Sequence, residues 1–123
     1  METKPDCTGY VIFAHGSPIE SANEAVRTIA AQAELPLYET AFLDSSPPTL
    51  ADAVATLAQR GATKIVVIPY FLTLGMHLQR DLPALVTALE QKTPGLQIRV
   101  TAPLDGHPAL QTILKDRAYG LAG

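Results

Sequence analysis

Lys64-Ile65-Val66-Val67-Ile68-Pro69-Tyr70 is the stretch of this sequence that decides its fold. The apolar residues run without alternation, as expected of a strand covered on both faces rather than half in water. Such a strand belongs in a parallel sheet, and parallel neighbours must be joined by crossovers, usually helical. The flanking sequence supplies them. Leu50, Ala53, Val54, Leu57 and Ala58 share one face of a helix that starts near Thr49 and stops at Gly61. Before it, Leu37 to Leu43 reads as a strand closed by Asp44-Ser45-Ser46-Pro47-Pro48. Ala22, Ala25, Val26, Ile29, Ala30 and Ala33 recur at helical spacing, with Ser17 as N-cap and Pro18 in the first helical position. Gly9 to Ala14 is the first strand. Downstream, a loop over Phe71–Arg80 leads to a helix from about Asp81, which acts as its cap, with Pro83 in the first turn. Leu85, Val86 and Leu89 form its inner face and Pro94-Gly95 ends it. Leu96 to Ala102 is the fourth strand, and Pro108 to Tyr119 the last helix.

Strict strand–helix alternation predicts an α/β fold: a four-stranded parallel sheet with right-handed crossovers and helices on both faces. By analogy with flavodoxin-like folds the strand order is 2-1-3-4. Strands one and three are then neighbours at the topological switch point, where ligands bind beyond the carboxyl ends of the strands.

The 123 residues fit one domain, 1–123, and 47% of them are hydrophobic, enough for a core without disulfides or a structural metal. Net charge is -3 with both signs interspersed, so no basic run points to nucleic acid. Cys7 is the only cysteine, which excludes a disulfide framework within the chain and a cysteine-rich metal cluster. Met1 to Thr8 lacks an apolar signal core, and no apolar run reaches the ~18 to 20 residues that span a bilayer. These readings predict a cytoplasmic protein with no membrane or nucleic-acid partner.

Two histidines carry the chemistry. His15 directly follows strand one, and His77 lies in the loop after strand three, so both belong to the same crevice. A single histidine at a strand end is more often a hydrogen-bonded loop residue than a ligand. Two, on the strands flanking the switch point, suggest a divalent-cation site with open coordination positions. Neutral imidazole also accepts protons near neutral pH. The spacing is neither HExxH nor CxxC, so it names no zinc site by itself. Glu20, Asn23 and Glu24 lie near the crevice on the first turns of helix one. Asp44 and Glu39 are possible accessory acids or bases, Asp44 nearer the mouth, although a capping role suits Asp44 equally well. Asp81, one turn from His77, also suits a role supporting that histidine. His107 reads as an ordinary residue at the start of the last helix. Gly75 is expected to take a positive φ and to let a ligand approach closely.

Other chemistries lack their signatures. There is no GxSxG elbow to make Ser17 a nucleophile, and no GxGxxG or GxxxxGK[ST] follows a strand. A flavin site would use the same crevice, but the first loop offers only Ser17 and Ser21 as hydroxyls, and the chain has no tryptophan.

Four pieces of the sequence, in order and on the predicted loops, resemble the sirohydrochlorin chelatase family, the cobalto- and ferrochelatases of cobalamin and siroheme synthesis. They are His15-Gly16-Ser17 with Ala22-Asn23, and Ala41-Phe42-Leu43-Asp44 with Pro48-Thr49-Leu50. The third is Pro69-Tyr70-Phe71-Leu72 with Gly75-Met76-His77 and Asp81-Leu82-Pro83, and the last is Pro103 to Pro108. The resemblance implies a class II chelatase-like fold in which His15 and His77 bind the incoming metal and assist deprotonation of a distorted ring. It implies tetrapyrrole contacts at Ser17, Asn23, Leu72, Gly75 and Met76. Asp44 stands where the family commonly has glutamate, one methylene longer. No permanently bound cofactor is implied; the divalent metal is a substrate, with cobalt first, then iron or nickel. The short form implies a homodimer around a sirohydrochlorin-type tetrapyrrole. Competing readings are a non-catalytic tetrapyrrole or metal carrier on the same fold, and an interaction module without metal chemistry.

Overall fold

A computed structural model describes residues 5–122. Met1 to Lys4, part of the segment read as lacking a signal core, lie outside them. Strands β1 (Thr8–Ala14), β2 (Tyr38–Phe42), β3 (Lys64–Tyr70) and β4 (Gln97–Val100) alternate with helices α1 (Glu20–Gln32), α2 (Leu50–Gln59), α3 (Met76–Lys92) and α4 (Ala109–Ala122). All pairings are parallel and the order is β2-β1-β3-β4, as the alternation and the flavodoxin-like analogy predicted.

Register explains how the core divides. Val11 and Phe13 of β1 point to the same side as Ile65 and Val67 of β3, where Leu50, Ala53, Val54 and Leu57 of α2 and Leu82, Val86 and Leu89 of α3 close over them. Ile12, Ala14 and Phe42 face the opposite side, buried with Ala30 of α1, and the Arg27 guanidinium lies 5.4 Å above the Phe42 ring. Helices flank both faces of the sheet, but β3 is not covered equally on its two sides. Ile65, Val67 and Pro69 are buried, whereas Val66 and Ile68 on the other side are half-buried and Lys64 and Tyr70 exposed, short of the two-sided coverage expected from the sequence. At about 25 cal/mol per Å² of buried apolar surface, burial of the α2/α3 side is the main term holding β1 and β3 at the sheet centre.

Boundaries shift where local bonding overrides propensity. Helix α1 starts at Glu20, after an extended Ile19 that makes no side-chain cap, and not at Pro18. The Asn23 amide takes both the N–H and the C=O of Ser17, which holds 17–19 out of the helix. Thr49 caps α2 as a full capping box with Asp52, so that start is where the sequence placed it. Strand β4 is shorter than 96–102, with Val100 the last residue in register, against Val67. Among the described residues, no helix is long and apolar enough to cross a membrane.

The largest shift is at α3. Met76 opens the helix, so His77 occupies its first turn instead of a loop, Asp81 does not cap it, and Pro83 lies well inside it. Leu78 and Leu82, one turn apart, pack against the core and extend the helix backwards past the proline. Proline merely leaves the Gln79 carbonyl without its helical donor. Gly75 is the N-cap with φ -65 and ψ 163, so the positive φ expected of it is absent.

Candidate active site

Because β1 and β3 are adjacent, their carboxyl ends deliver His15 and the Phe71 turn to one place, and α3 returns His77 beside them. The three meet in a cavity of about 390 Å³ lined by His15, Leu43, Phe71, Gly75, Met76, His77, Leu78, Asp81, Leu82 and Leu85. Its walls are mainly apolar, with two imidazoles and one carboxylate as the side-chain polar groups. Strand alternation past Ala14 sends His15 to the side of Phe13, which is the α3 side. The Phe71 ring meets both edge-on, at centroid distances of 6.1 Å to Phe13 and 6.3 Å to His15.

The first loop is braced from behind. Asn23 is only 2% exposed, and its Oδ1 accepts from the Ser17 N–H at 2.9 Å while its Nδ2 donates to the Ser17 carbonyl at 2.8 Å. Both halves of the amide are thus consumed by the loop, so Asn23 shapes the site and is not free to contact a ligand, contrary to the expectation. Ser17 Oγ likewise accepts from the Ile19 N–H, and Ser17 does not line the cavity. Gly16 has φ +89, and a Cβ there would lie 1.9 Å from the Asp44 carbonyl oxygen. Only glycine fits. Asp44 in turn donates its N–H to the His15 carbonyl at 2.9 Å, and its carboxylate accepts from the Ser45 N–H at 2.8 Å. Asp44 therefore acts here as a loop brace and lies outside the cavity lining, which answers the acid/base expectation with the capping one.

Glu39 is also elsewhere. It lines a separate polar cleft with Arg27, Leu35, Pro36 and Arg60, and its carboxylate faces Arg60 at 3.7 Å. The structure does not bring it to the histidines. Gly75 and Met76 do line the cavity, whereas Leu72 lies outside the lining, 62% exposed. The Leu72 and Phe71 carbonyls accept from the Asp105 and Leu104 N–H groups, which clips the 104–105 turn onto the pocket loop. His107 Nδ1 accepts from the Ala109 N–H, an ordinary helix-start contact.

The two imidazoles are held in opposite senses. His15 Nδ1 lies 3.1 Å from the Gly16 carbonyl, which can only accept, so Nδ1 carries the proton and Nε2 keeps its lone pair. His77 Nδ1 lies 3.2 Å from Arg80 Nη2, which can only donate, so Nδ1 is the acceptor and a neutral His77 carries its proton on Nε2. Arg80 also donates from Nε to Asp81 at 3.2 Å. Among the described residues no group of three His, Cys, Asp or Glu side chains is placed to hold a metal ion.

The sequence reading missed Leu43, Phe71, Leu78, Leu82 and Leu85 as lining, Gly16 as an obligatory glycine, and Arg80. One signal would have found Leu78, Leu82 and Leu85. With the helix started at Met76, positions 77, 78, 81, 82 and 85 fall on a single stripe.

This architecture is matched along nearly its whole length by the CbiX family model, over residues 9–120. The chain belongs to the CbiX family. It is 32% identical over 116 residues to the chloroplastic sirohydrochlorin ferrochelatase of Arabidopsis thaliana, covering 91% of this chain and 52% of that protein. It is 31% identical over 112 residues to the sirohydrochlorin cobaltochelatase of Sulfolobus acidocaldarius, covering 89% of each. Among solved structures, the CbiX cobalamin biosynthesis protein from Marinobacter aquaeolei VT8 superposes with a TM-score of 0.84 at 25% identity, covering 94% of this chain and 98% of that one. The chain thus spans about half the length of the plant relative and nearly all of the archaeal one. The class II chelatase-like fold and the family expected from the four sequence pieces are those found.

Proposed function

We propose that this CbiX-family chain, read as one chelatase domain over 1–123, inserts a divalent metal into sirohydrochlorin, cobalt first and iron or nickel after it. The observation that carries the reading is the pairing of His15 and His77 at one apolar cavity between the β1 and β3 ends. Apolar walls suit a macrocycle's faces, and a half-open pair of imidazoles can hold a cation without saturating it. The reaction replaces two pyrrole N–H protons by the metal: sirohydrochlorin plus M²⁺ gives metallated sirohydrochlorin and two H⁺. His15, with its Nε2 lone pair available, is the first ligand or base. His77 must move its proton from Nε2 to Nδ1, giving up the Arg80 contact, before Nε2 can ligate. The two residues thus divide the work: one is ready to accept, the other is poised to change state. The resemblance and the relatives' names support the substrate, and the resemblance also supports a homodimer; a cytoplasmic address without nucleic-acid or membrane partners is part of the same proposal.

The test is the absorbance change of sirohydrochlorin with cobalt, measured against a blank without protein. Acceleration that disappears in His77→Ala is the expected result. Tight tetrapyrrole binding with no acceleration would replace the enzyme by a carrier on the same fold.

A further inference from the structure

Metal insertion sets a proton count that the two imidazoles cannot meet. Each turnover breaks two pyrrole N–H bonds, and each proton needs a lone pair to receive it. His15 holds its own proton on Nδ1, towards the Gly16 carbonyl, so Nε2 is its one available lone pair. A neutral His77 also has one, at Nδ1 against Arg80, or at Nε2 once its proton has moved. With both rings bound to the metal through Nε2, neither has a lone pair left. While they hold the metal, they cannot also be the bases.

The rest of the cavity narrows the choice. Leu43, Phe71, Met76, Leu78, Leu82 and Leu85 bring no base. Asp44 is turned to the Ser45 N–H and Glu39 to Arg60, and both lie outside the lining. Asp81 is the one carboxylate among the lining residues. It stands four residues beyond His77 on α3, on the same face of the helix. Arg80 Nε donates to its Oδ1 at 3.2 Å, and among the described residues no donor bonds to Oδ2. The side chain is also 65% exposed, so a proton taken from the cavity can be passed on to water.

We infer that Asp81 is the proton acceptor of the insertion step. Its unbonded Oδ2 takes a pyrrole proton as the metal enters. The N–H bond breaks, its electron pair stays on nitrogen and becomes the bond to the metal, and an O–H bond forms on Asp81. The carboxyl then gives that proton to water, and the regenerated carboxylate takes the second. The metal stays divalent throughout, and two H⁺ reach solvent for each M²⁺ consumed. This step rests on the chelatase reading above and adds to it a residue whose task is separate from metal binding.

The experiment compares cobalt insertion by wild type, Asp81→Asn and Asp81→Ala at fixed free cobalt. Asp81→Asn keeps the shape and an acceptor for Arg80 but loses the base. Its kcat should fall by about 10- to 100-fold, the low end for a positioned base because the open side of the cavity admits water. KM for cobalt and the cobalt-free affinity for sirohydrochlorin should stay at their wild-type values. Asp81→Ala leaves room for a small carboxylate, so added acetate should restore its turnover in proportion to concentration while leaving wild type unchanged. A purely structural role gives no such rescue. If wild type accelerates insertion and Asp81→Asn turns over normally, Asp81 is not the acceptor and the chelatase reading stands. A raised KM for cobalt at unchanged kcat makes Asp81 a recruiter of metal and equally overturns the step, as does an Asp81→Ala variant that acetate cannot rescue. A wild type no faster than the blank without protein removes the chelatase reading and this step with it. Should Asp81→Asn melt early, the acetate dependence of Asp81→Ala decides.

Discussion

The loop after β1 and the helix after β3 each deliver one imidazole to the same cavity, and they do so by different means. The His15 loop is fastened by a buried amide, by a glycine pressed against the Asp44 carbonyl and by the Asp44 N–H. His77 stands in the first turn of α3, whose N-cap Gly75 makes no side-chain bond and has open space around it, and the side-chain neighbour bonded to its ring is the exposed Arg80. If the two imidazoles are the proposed ligands, a rigid one beside a more yielding one suits a site that must receive a metal and then release it. A site braced equally on both sides would favour retention.

The largest effect should come from removing either imidazole. His15→Ala and His77→Ala should each reduce cobalt insertion by about 100-fold or more, the usual scale for a positioned acid–base group. Thermal midpoints should stay close to wild type, since both side chains are exposed. Parallel assays of rate and unfolding decide it; variants that unfold early, or turn over normally, would remove both histidines from the chemistry.

Next comes the brace itself. Gly16→Ala should destabilise by about 2 to 3 kcal/mol, since the new Cβ meets backbone at 1.9 Å and the left-handed φ adds strain. Asn23→Ala, which orphans the Ser17 backbone groups, should cost about 1 to 3 kcal/mol. Gly75→Ala is the counterpart on the other wall: nothing lies within 4 Å of its Cβ position and its φ is -65, so the loss should stay below about 1 kcal/mol. Denaturant titration of the three variants gives the ranking, and equal losses at Gly16 and Gly75 would erase the distinction between the walls.

The same asymmetry decided what could be read in advance. The parallel sheet and the His15–His77 convergence were legible because strand–helix alternation and the apolar run of β3 mark a parallel sheet, and because the flavodoxin-like order, taken by analogy, makes β1 and β3 neighbours whose loops meet. Gly16 and Asn23 were visible only as pieces of a motif; their bracing depends on a contact with Asp44 and on a buried amide, neither of which has a local periodicity. Glu39 was drawn towards the site by sequence proximity to Asp44, but Arg60 at the end of α2 faces it in another cleft. On the second wall, Pro83 pulled the expected helix start to Asp81. Packing of Leu78 and Leu82 outweighed one missing hydrogen bond, and with that boundary went most of the cavity lining. The position of α4 was illegible for a further reason: its apolar line looks like any core helix until its own sheet fails to cover it.

Arg80→Ala should act on the yielding wall alone. Losing the donor at His77 Nδ1 frees that ring's tautomer, so kcat should change by several-fold while the unfolding midpoint and the cobalt-free tetrapyrrole affinity stay put. Arg80→Lys, which can still donate, should recover part of the difference. Unchanged kcat in both variants would show that the Arg80 contact does not set the state of His77.

The smallest effect belongs to the outer support of the first wall. Arg27 donates to Glu20 at 2.7 Å, Asn23 approaches the same carboxylate at 3.4 Å, and these bonds, Arg27 first, hold the Glu20 carboxyl below the usual carboxylate range. Glu24 accepts from Arg27 as well, and together the two carboxylates raise the guanidinium pKa. A carboxyl whose pKa is lower in the folded chain binds fewer protons there than in the unfolded chain. Its contribution is therefore present above the unfolded value of about 4.3 and disappears as the pH falls through the lower folded one. Glu20→Gln should lower the thermal midpoint slightly at pH 7, because the pair is exposed and screened by solvent. The gap to wild type should narrow on acidification below about pH 4, when wild-type Glu20 is itself becoming neutral. Melting curves of both proteins from pH 3 to pH 8 measure this directly. A gap that stays constant down to pH 3 would mean that shape, not charge, gives Glu20 its part in steadying the loop of His15.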